Sequence, residues 1–328
     1  VTEGDFSAQI SANRTGVRRA AELVRTMGFD AYLRGLAQID AYGERMAHAA
    51  IEKLPDGDYR FEDLMDDDGL GARDIAIRVT LEIADGQVGV DFTGTAAQVQ
   101  GNLNCPLPVT AAAVFYVFRC LMPAQVPPCH GAMETIELTA PTGCLVNASP
   151  PAAVAAGNVE TSTRIVDVVC GALAKVVPEK IGAAAQGSMN NLAMGARGSE
   201  GWDYYETIAG GHGACAGANG RHARHSHMTN TLNTPVEILE LNYPLRIERY
   251  SIRRGSGGGG QFRGGNGVIR NYRFLSDADL TILSERRRHA PWGLAGGDAG
   301  ARGSNRLDGV ELGGKVSCRV KSGQCLQV

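Results

Sequence analysis

The sequence lacks the features that mark several specialised classes of protein. Its longest apolar run, VTAAAVFYVF at 109–118, falls well short of the roughly 20 residues that span a bilayer. Its eight cysteines are scattered without a CxxC pair, which argues against a zinc ribbon or a thioredoxin-like motif. A formal net charge of −3 gives no overall attraction to nucleic acid. With no secretory pattern in the first residues, we expect a cytoplasmic protein with neither membrane nor nucleic-acid partners.

Glycine is abundant, at 43 of 328 residues, in a composition that is otherwise typical of a globular protein. The densest run is GSGGGGQFRGGNG at 255–267. A Walker A loop needs GK[ST] at the start of a helix, whereas this run is followed by the strand-like VIRNYRF. We therefore expect tight turns or close backbone approach here, and no ATP site on this chain.

The period of the apolar residues changes near residue 180. Spacings of three and four predict helices, and alternation predicts strands. In the first half, the predicted helices cover 15–54 (broken at Gly28), 108–122 and 161–177, and the predicted strands cover 75–92 and 134–143. In the second half, the predicted strands include WDYYETI, VEILEL, GVIRNYRFL and LTILSERR. We predict an α+β fold, with a helix-rich first half (1–180) packed on a β-rich, glycine-rich second half (181–328).

Four of the seven histidines lie in GGHGACAGANGRHARHSHMTNTLNTPVEILE, residues 210–240. On a strand, His225 and His227 would face the same side, so an HxH metal site is chemically reasonable. The segment has no aspartate, however, and its first carboxylate is Glu237. Substrate-facing, interface and hydrogen-bonded structural histidines remain open alternatives.

Two further groups of polar residues have both structural and functional interpretations. In GNVETSTR (157–164), Thr161 or Ser162 can cap the following helix, or Glu160 can act at its N-terminus, where the helix dipole favours the ionised carboxylate. The basic runs 253–254 and 286–288 have acidic neighbours, so we expect salt-bridged structural arginines there.

Five longer blocks closely resemble the hydantoinase B/oxoprolinase family, in the same order and over essentially the whole chain. They are VDFTGTAAQVQGNLNCPLPVTAAAVFYVFRCL, PPAAVAAGNVETSTRIVDVVCGAL, HMTNTLNTPVEILE, GGGGQFRGGNGVIRNYRF and LSERRRHAPWGLAGG. The resemblance implies a B-type subunit of an ATP-dependent cyclic-amide hydrolase of the hydantoinase or 5-oxoprolinase type. It also implies a hetero-oligomer with an A-type subunit that holds ATP and Mg. A subunit of an acetone- or acetophenone-type carboxylase, and a non-catalytic scaffold for the A-type subunit, are the alternatives.

The family pattern usually begins with a further region that carries a THxxD block and a histidine/aspartate block, and it ends in TPGGGG. Neither block occurs in these 328 residues, and the last residues are KSGQCLQV. We therefore expect a piece of a B-type subunit, with any divalent metal bound in the absent region and none on this chain.

The matched blocks also supply the candidate site residues, which are polar positions in apolar surroundings. The catalytic candidates for acid–base work are Glu160 and His227. The substrate-binding candidates are Asn102, Asn104, Asn158, Asn230 and Glu237.

Overall fold

The computed structural model describes residues 2–198 and 201–328, and it begins with two long helices. Helix α1 spans Thr2–Met27 and α2 spans Phe29–Ile51. The predicted break at Gly28 is confirmed, and its φ of 80° is a conformation that favours glycine. Helix α1 begins well before the predicted residue 15. Among the described residues, no helix is both long and apolar enough to cross a membrane.

A four-stranded sheet and two buried helices form the rest of the first half. The strands are β1 (Gly57–Asp67), β2 (Arg73–Ala84), β3 (Gln87–Asp91) and β4 (Ile136–Thr139), adjacent in that order, with β4 parallel to β3. The hairpin predicted over 75–92 is confirmed as β2 and β3, with positive φ at both Asp85 and Gly86, as a type I′ turn requires. Strand β1 was not predicted, because acidic residues interrupt its alternation.

Helices α3 (Leu107–Leu121) and α4 (Ser162–Leu173) pack together, and α4 also packs on β1 and β2. A 3-10 turn at Gly131–Met133 precedes β4, and a π-helical turn at Gly157–Thr161 leads into α4. Almost every residue of α4 is buried, which agrees with its predicted apolar character.

The second half consists mainly of two antiparallel sheets, which confirms the α+β prediction. Their strands are β5 (Asn191–Ala196), β6 (Trp202–Thr207), β7 (Leu245–Ile252), β8 (Val268–Phe274), β9 (Ala278–Leu283), β10 (Asn305–Leu307), β11 (Val310–Leu312), β12 (Lys315–Val320) and β13 (Cys325–Gln327). One sheet has the order β12-β9-β5-β6 and the other β11-β10-β13-β8-β7.

The strand predicted for VEILEL is wrong, because these residues form helix α5 (Val236–Asn242). Pro235 precedes the helix, and Leu239 is its buried residue while Ile238 and Leu241 are exposed. In so short a segment, alternation of apolar residues fits a single helical turn as well as a strand.

Apolar side chains form one core cluster in each half. The larger runs from Ala47 to Ile181 and the smaller from Leu192 to Leu326. The division into two domains near 180 stays a prediction.

The glycine-rich loops pack backbone against backbone, as predicted for 255–267. A Cβ placed on Gly257 would lie 2.0 Å from the carbonyl oxygen of Gly264, and one on Gly213 would lie 1.8 Å from that of Ala183. Such distances are far inside van der Waals contact, so only glycine fits without movement of the backbone. The prediction of close backbone approach is therefore confirmed.

Candidate functional site

The two halves meet at a buried group of paired acidic and basic side chains, which we call the junction cluster. Its members are Asp63, Arg164, Asp167, Glu285, Arg286 and Lys315. The Nη2 atom of Arg286 lies 2.8 Å from Asp63 Oδ2 and 2.6 Å from Asp167 Oδ2. On the other side, Glu285 Oε2 lies 3.2 Å from Arg164 Nη2, and Glu285 Oε1 lies 2.5 Å from Lys315 Nζ. The cluster thus joins β1 and α4 of the first half to the segments after β9 and at β12.

Buried charges of this kind need close partners to offset their lost hydration. Burial alone would raise the pKa of Asp63, but Arg164 and Arg286 outweigh it and hold that pKa below its usual value. The same carboxylate, with that of Asp167, raises the pKa of Arg286 against the effect of burial. Asp63 and Arg286 therefore stay ionised.

The salt-bridged arginines predicted for 286–288 are confirmed for Arg286 and Arg288, and the latter pairs with Asp74. The side chain of Arg287 instead donates to Asn190 Oδ1 and Asn305 Oδ1. Glu248, the acidic neighbour of 253–254, pairs instead with Arg273 on the adjacent strand.

Glu160 lies in the π-helical turn before α4 and is completely buried. Its Oε1 accepts hydrogen bonds from the Met189 N–H, at 3.1 Å, and from Asn191 Nδ2, at 3.4 Å. Within the described residues its Oε2 has no partner. Burial first, and then the charge of Glu285, raise the pKa of Glu160 to about 8, against a smaller opposite effect of Lys315.

The expectation that the helix dipole keeps Glu160 ionised is therefore wrong, because loss of hydration outweighs the dipole. The predicted cap at this helix is also wrong. The Thr161 hydroxyl donates to the Leu103 carbonyl, and the Ser162 hydroxyl donates to the Asn158 carbonyl.

His227 approaches the junction cluster from the other half. Its Nε2 lies 3.8 Å from Asp167 Oδ1, and its ring meets Tyr116 edge-on at a centroid distance of 6.1 Å. Burial lowers the pKa of His227 more than Asp167 raises it, so the imidazole is neutral at neutral pH. Glu160 thus interacts with Glu285 and Lys315, and His227 with Asp167, so both lie beside the junction cluster. Their catalytic roles stay predictions.

The five substrate-binding candidates fall into two regions. Asn104 is buried, and its amide bonds the backbone of Val99, Gly101 and Ala153, which gives it a structural role in the loop beside the π-helical turn. Asn102 and Asn158 are exposed on the same pair of loops. Asn230 is exposed on the segment that leads into α5, and Glu237 is exposed in the first turn of that helix. Substrate binding by any of them stays a prediction.

Two of the three upstream histidines make structural contacts through their rings, whereas both ring nitrogens of His225 are buried without a partner among the described residues. His212 Nε2 lies 2.9 Å from the His225 carbonyl oxygen, and His222 Nδ1 accepts the Asn266 N–H. Within residues 2–198 and 201–328, no three His, Cys, Asp or Glu side chains are grouped so that they could hold a metal ion.

Sequence periodicity did not single out the acidic end of β1 as part of the site. Asp66 accepts the backbone N–H groups of Arg287, Arg288 and His289, and Asp63 belongs to the junction cluster. The matching signal was present as DLMDDDG at 63–69 and RRRH at 286–289, two oppositely charged runs in different halves.

A mixed α+β chain with a buried ionisable cluster between its halves is the class that this fold and site define. The chain belongs to the hydantoinase B/oxoprolinase family, whose model matches residues 1–328. It is 37% identical to 5-oxoprolinase 1 of Arabidopsis thaliana, over 99% of this chain and 26% of that protein. It is 33% identical to the B-type subunit of a putative D-/L-hydantoinase from a Pseudomonas strain, over 99% of this chain and 58% of that protein.

Two solved structures share the fold. The ATP-dependent caprolactamase of Pseudomonas jessenii superposes with a TM-score of 0.88 at 25% identity, over 99% of this chain and 59% of that one. An acetone carboxylase superposes with a TM-score of 0.79 at 18% identity, over 94% and 49%, which is a likeness of fold alone. The chain thus spans a quarter to three-fifths of the length of these proteins.

Proposed function

We propose that this chain is the major part of a B-type subunit of an ATP-dependent cyclic-amide hydrolase, acting with an A-type subunit that holds ATP and Mg. The observation that carries the proposal is the likeness to the caprolactamase, which extends over nearly the whole chain at 25% identity. The relatives named as a 5-oxoprolinase and as the B-type component of a hydantoinase support the same reaction class.

In the proposed reaction, the A-type subunit transfers the γ-phosphate of ATP to the amide oxygen. ADP leaves, one water attacks the amide carbon, and the C–N bond breaks, which opens the ring to an amine and an acyl phosphate. A second water then hydrolyses the acyl phosphate to a carboxylate and inorganic phosphate. His227, neutral at neutral pH, accepts a proton from the first water. Glu160, with a pKa of about 8, is mostly protonated at pH 7 and donates a proton to the departing nitrogen.

The substitution Glu160→Gln tests this assignment, because glutamine keeps the size of the side chain but transfers no proton. In the complex of the natural full-length subunit with its A-type partner, we expect ATP-dependent turnover to fall by about 10²- to 10⁴-fold. In the unchanged enzyme, the rate should decline as the pH rises through about 8, since the donating form of Glu160 is then lost.

The matched control is Glu137→Gln, on the exposed face of β4, which should leave the rate unchanged. Caprolactam, hydantoin and 5-oxoproline, each with and without ATP, test the reaction class. Turnover of acetone that requires bicarbonate would contradict the hydrolase proposal and support the carboxylase alternative. Full activity of variants at Glu160 and His227 would support the alternative in which the chain is a non-catalytic scaffold for its A-type partner.

A further inference from the structure

Residues 226–229 of the second half form a turn that packs against the first half. The Thr229 N–H donates to the Ser226 carbonyl at 3.2 Å, which closes the turn, and Met228 packs on the apolar core of the first half. His227 has a φ of 55°, a backbone conformation that residues other than glycine rarely adopt. Residues held in such conformations are concentrated at functional sites. The turn therefore holds the His227 ring in a defined place beside α3 and α4.

The titratable groups that face His227 come from three elements. Asp167 lies on α4, Tyr116 on α3, and His212 on the same loop of the second half. Burial and the nearby Cys120 thiol raise the pKa of Tyr116 to about 12, so its phenol is uncharged at neutral pH. A charge on His212 lowers the pKa of His227, whereas the charge of Asp167 raises it. Of these three groups, Asp167 is therefore the one that favours a proton on the His227 ring.

The two oxygens of the Asp167 carboxylate have different surroundings. Oδ2 lies 2.6 Å from Arg286 Nη2, whereas Oδ1 is buried and has no hydrogen-bond partner among the described residues. Oδ1 lies 3.8 Å from His227 Nε2. That separation is longer than a hydrogen bond, but contacts between catalytic groups are often long before a substrate is bound. Closer approach of the imidazole would give Oδ1 the donor that it lacks.

The other side of the Asp167 carboxylate is fixed by Arg286. A Cβ placed on Gly187 would lie 2.6 Å from Arg286 Nε and 3.0 Å from Asp167 Oδ2, so glycine at this position lets the arginine and the aspartate meet. Arg286 Nη2 also contacts Asp63, so its charge is shared between two carboxylates. Asp167 is thus anchored through one oxygen and keeps the other, with part of its charge, for His227.

We propose that Asp167 positions His227 by accepting a hydrogen bond from its Nε2–H. A carboxylate only accepts, so Nε2 carries the proton of the neutral ring and Nδ1 is left as the basic nitrogen. The inference rests on the proposed function, in which His227 takes a proton from the water that attacks the amide carbon. In that step an O–H bond of the water breaks, its electron pair remains on the oxygen that bonds to carbon, and Nδ1 gains the proton. The Asp167 carboxylate then balances the positive charge of the imidazolium.

The substitution Asp167→Asn tests this arrangement, because an amide has one oxygen that accepts and one NH₂ group that donates. Arg286 only donates, so it requires the amide oxygen, and the NH₂ group is then turned toward His227. Nε2 must accept from that group, which moves the proton of the neutral ring to Nδ1. The pKa of His227 should also be lower in the variant, since the charge of Asp167 raises it.

Nitrogen-15 NMR of the natural full-length subunit, labelled at histidine and studied without ATP or partner, distinguishes the two tautomers. The signals of His227 are identified by their loss in His227→Gln. We expect Nε2–H in the unchanged subunit and Nδ1–H in Asp167→Asn. The matched structural control is Asp63→Asn, which removes the other aspartate on Arg286 and should leave the Nε2–H tautomer in place.

Turnover by the complex with the A-type partner gives a second readout. Asp167→Asn should lower kcat by about 10²-fold, the lower end of what a general base contributes, and leave KM nearly unchanged. Asp74→Asn, which removes a carboxylate at the surface, should change neither the tautomer nor kcat.

The inference is overturned if the unchanged subunit carries Nδ1–H, a result that requires no variant to fold. It is also overturned if Asp167→Asn keeps the Nε2–H tautomer, or if Asp63→Asn reverses the tautomer as well. A reversed tautomer with unchanged kcat would support the positioning by Asp167 and contradict the role of His227 as base in the proposed function.

Discussion

The two halves of the molecule achieve close packing in different ways. In the first half, branched and aromatic side chains of α3, α4 and the β1–β4 sheet fill the core. Around residues 210–267 in the second half, backbone segments pack on one another at glycines. A side-chain core can adjust by changes of rotamer, whereas two backbones in contact have no such freedom. The two regions should therefore respond differently to small changes in volume.

The largest expected effect lies at the junction between the two regions. Arg286→Met leaves the buried carboxylates of Asp63 and Asp167 without their shared partner. Loss of one member of a buried ion pair typically costs about 3–5 kcal/mol of unfolding free energy. Urea unfolding of the variant should show that loss. If the cluster couples the two cores in the unchanged protein, the variant should also unfold in separate transitions when followed by tryptophan fluorescence and by far-ultraviolet circular dichroism.

Arg288→Met is the control, because Arg288 pairs with Asp74 at the surface and is half exposed. Its loss should cost less than about 1 kcal/mol. Equal effects of the two substitutions would show that the junction cluster does not hold the halves together.

The next effect tests the backbone-packed region. Gly213→Ala places a methyl group 1.8 Å from the Ala183 carbonyl oxygen, so one of the two segments must move. We expect the unfolding free energy to fall by about 1–3 kcal/mol. The emission of Trp292 should also change, because residues 183 and 213 line the same cavity as Trp292.

Gly16→Ala is the matched control, since a Cβ at that position meets no atom within 4 Å on the exposed helix α1. Alanine is the better helix former, so this change should stabilise the protein by up to about 1 kcal/mol. If Gly213→Ala proves equally harmless, the loops are not packed as tightly as the described distances require.

Local patterns predicted much of the first half, because the apolar residues on the buried face of each helix or strand recur at a regular spacing. The break at Gly28 and the hairpin at Asp85–Gly86 follow from local conformation alone. Strand β1 escaped prediction because its acidic residues are explained only by distant partners, which are Arg164 and Arg286 for Asp63 and the backbone of 287–289 for Asp66. No local pattern contains that pairing.

The candidate site shows the same division. The position of Glu160 beside α4 was predictable from GNVETSTR, but its protonation was not, since burial and the distant Glu285 determine its pKa. Likewise, the sequence shows no reason for His227 to approach Asp167, because a loop of the second half carries it there. The resemblance to the family supplied the choice of these residues, and only the fold brings them to one cluster.

The smallest expected effect tests the side-chain core with a change of about the same size as that at Gly213. Ile165→Val removes one methylene from α4, at a position with no exposed surface. Neighbouring side chains can partly fill the space, so we expect a loss of about 0.5–1.5 kcal/mol in urea unfolding. A cost above that of Gly213→Ala would reverse the comparison and make the first half the less adaptable of the two regions.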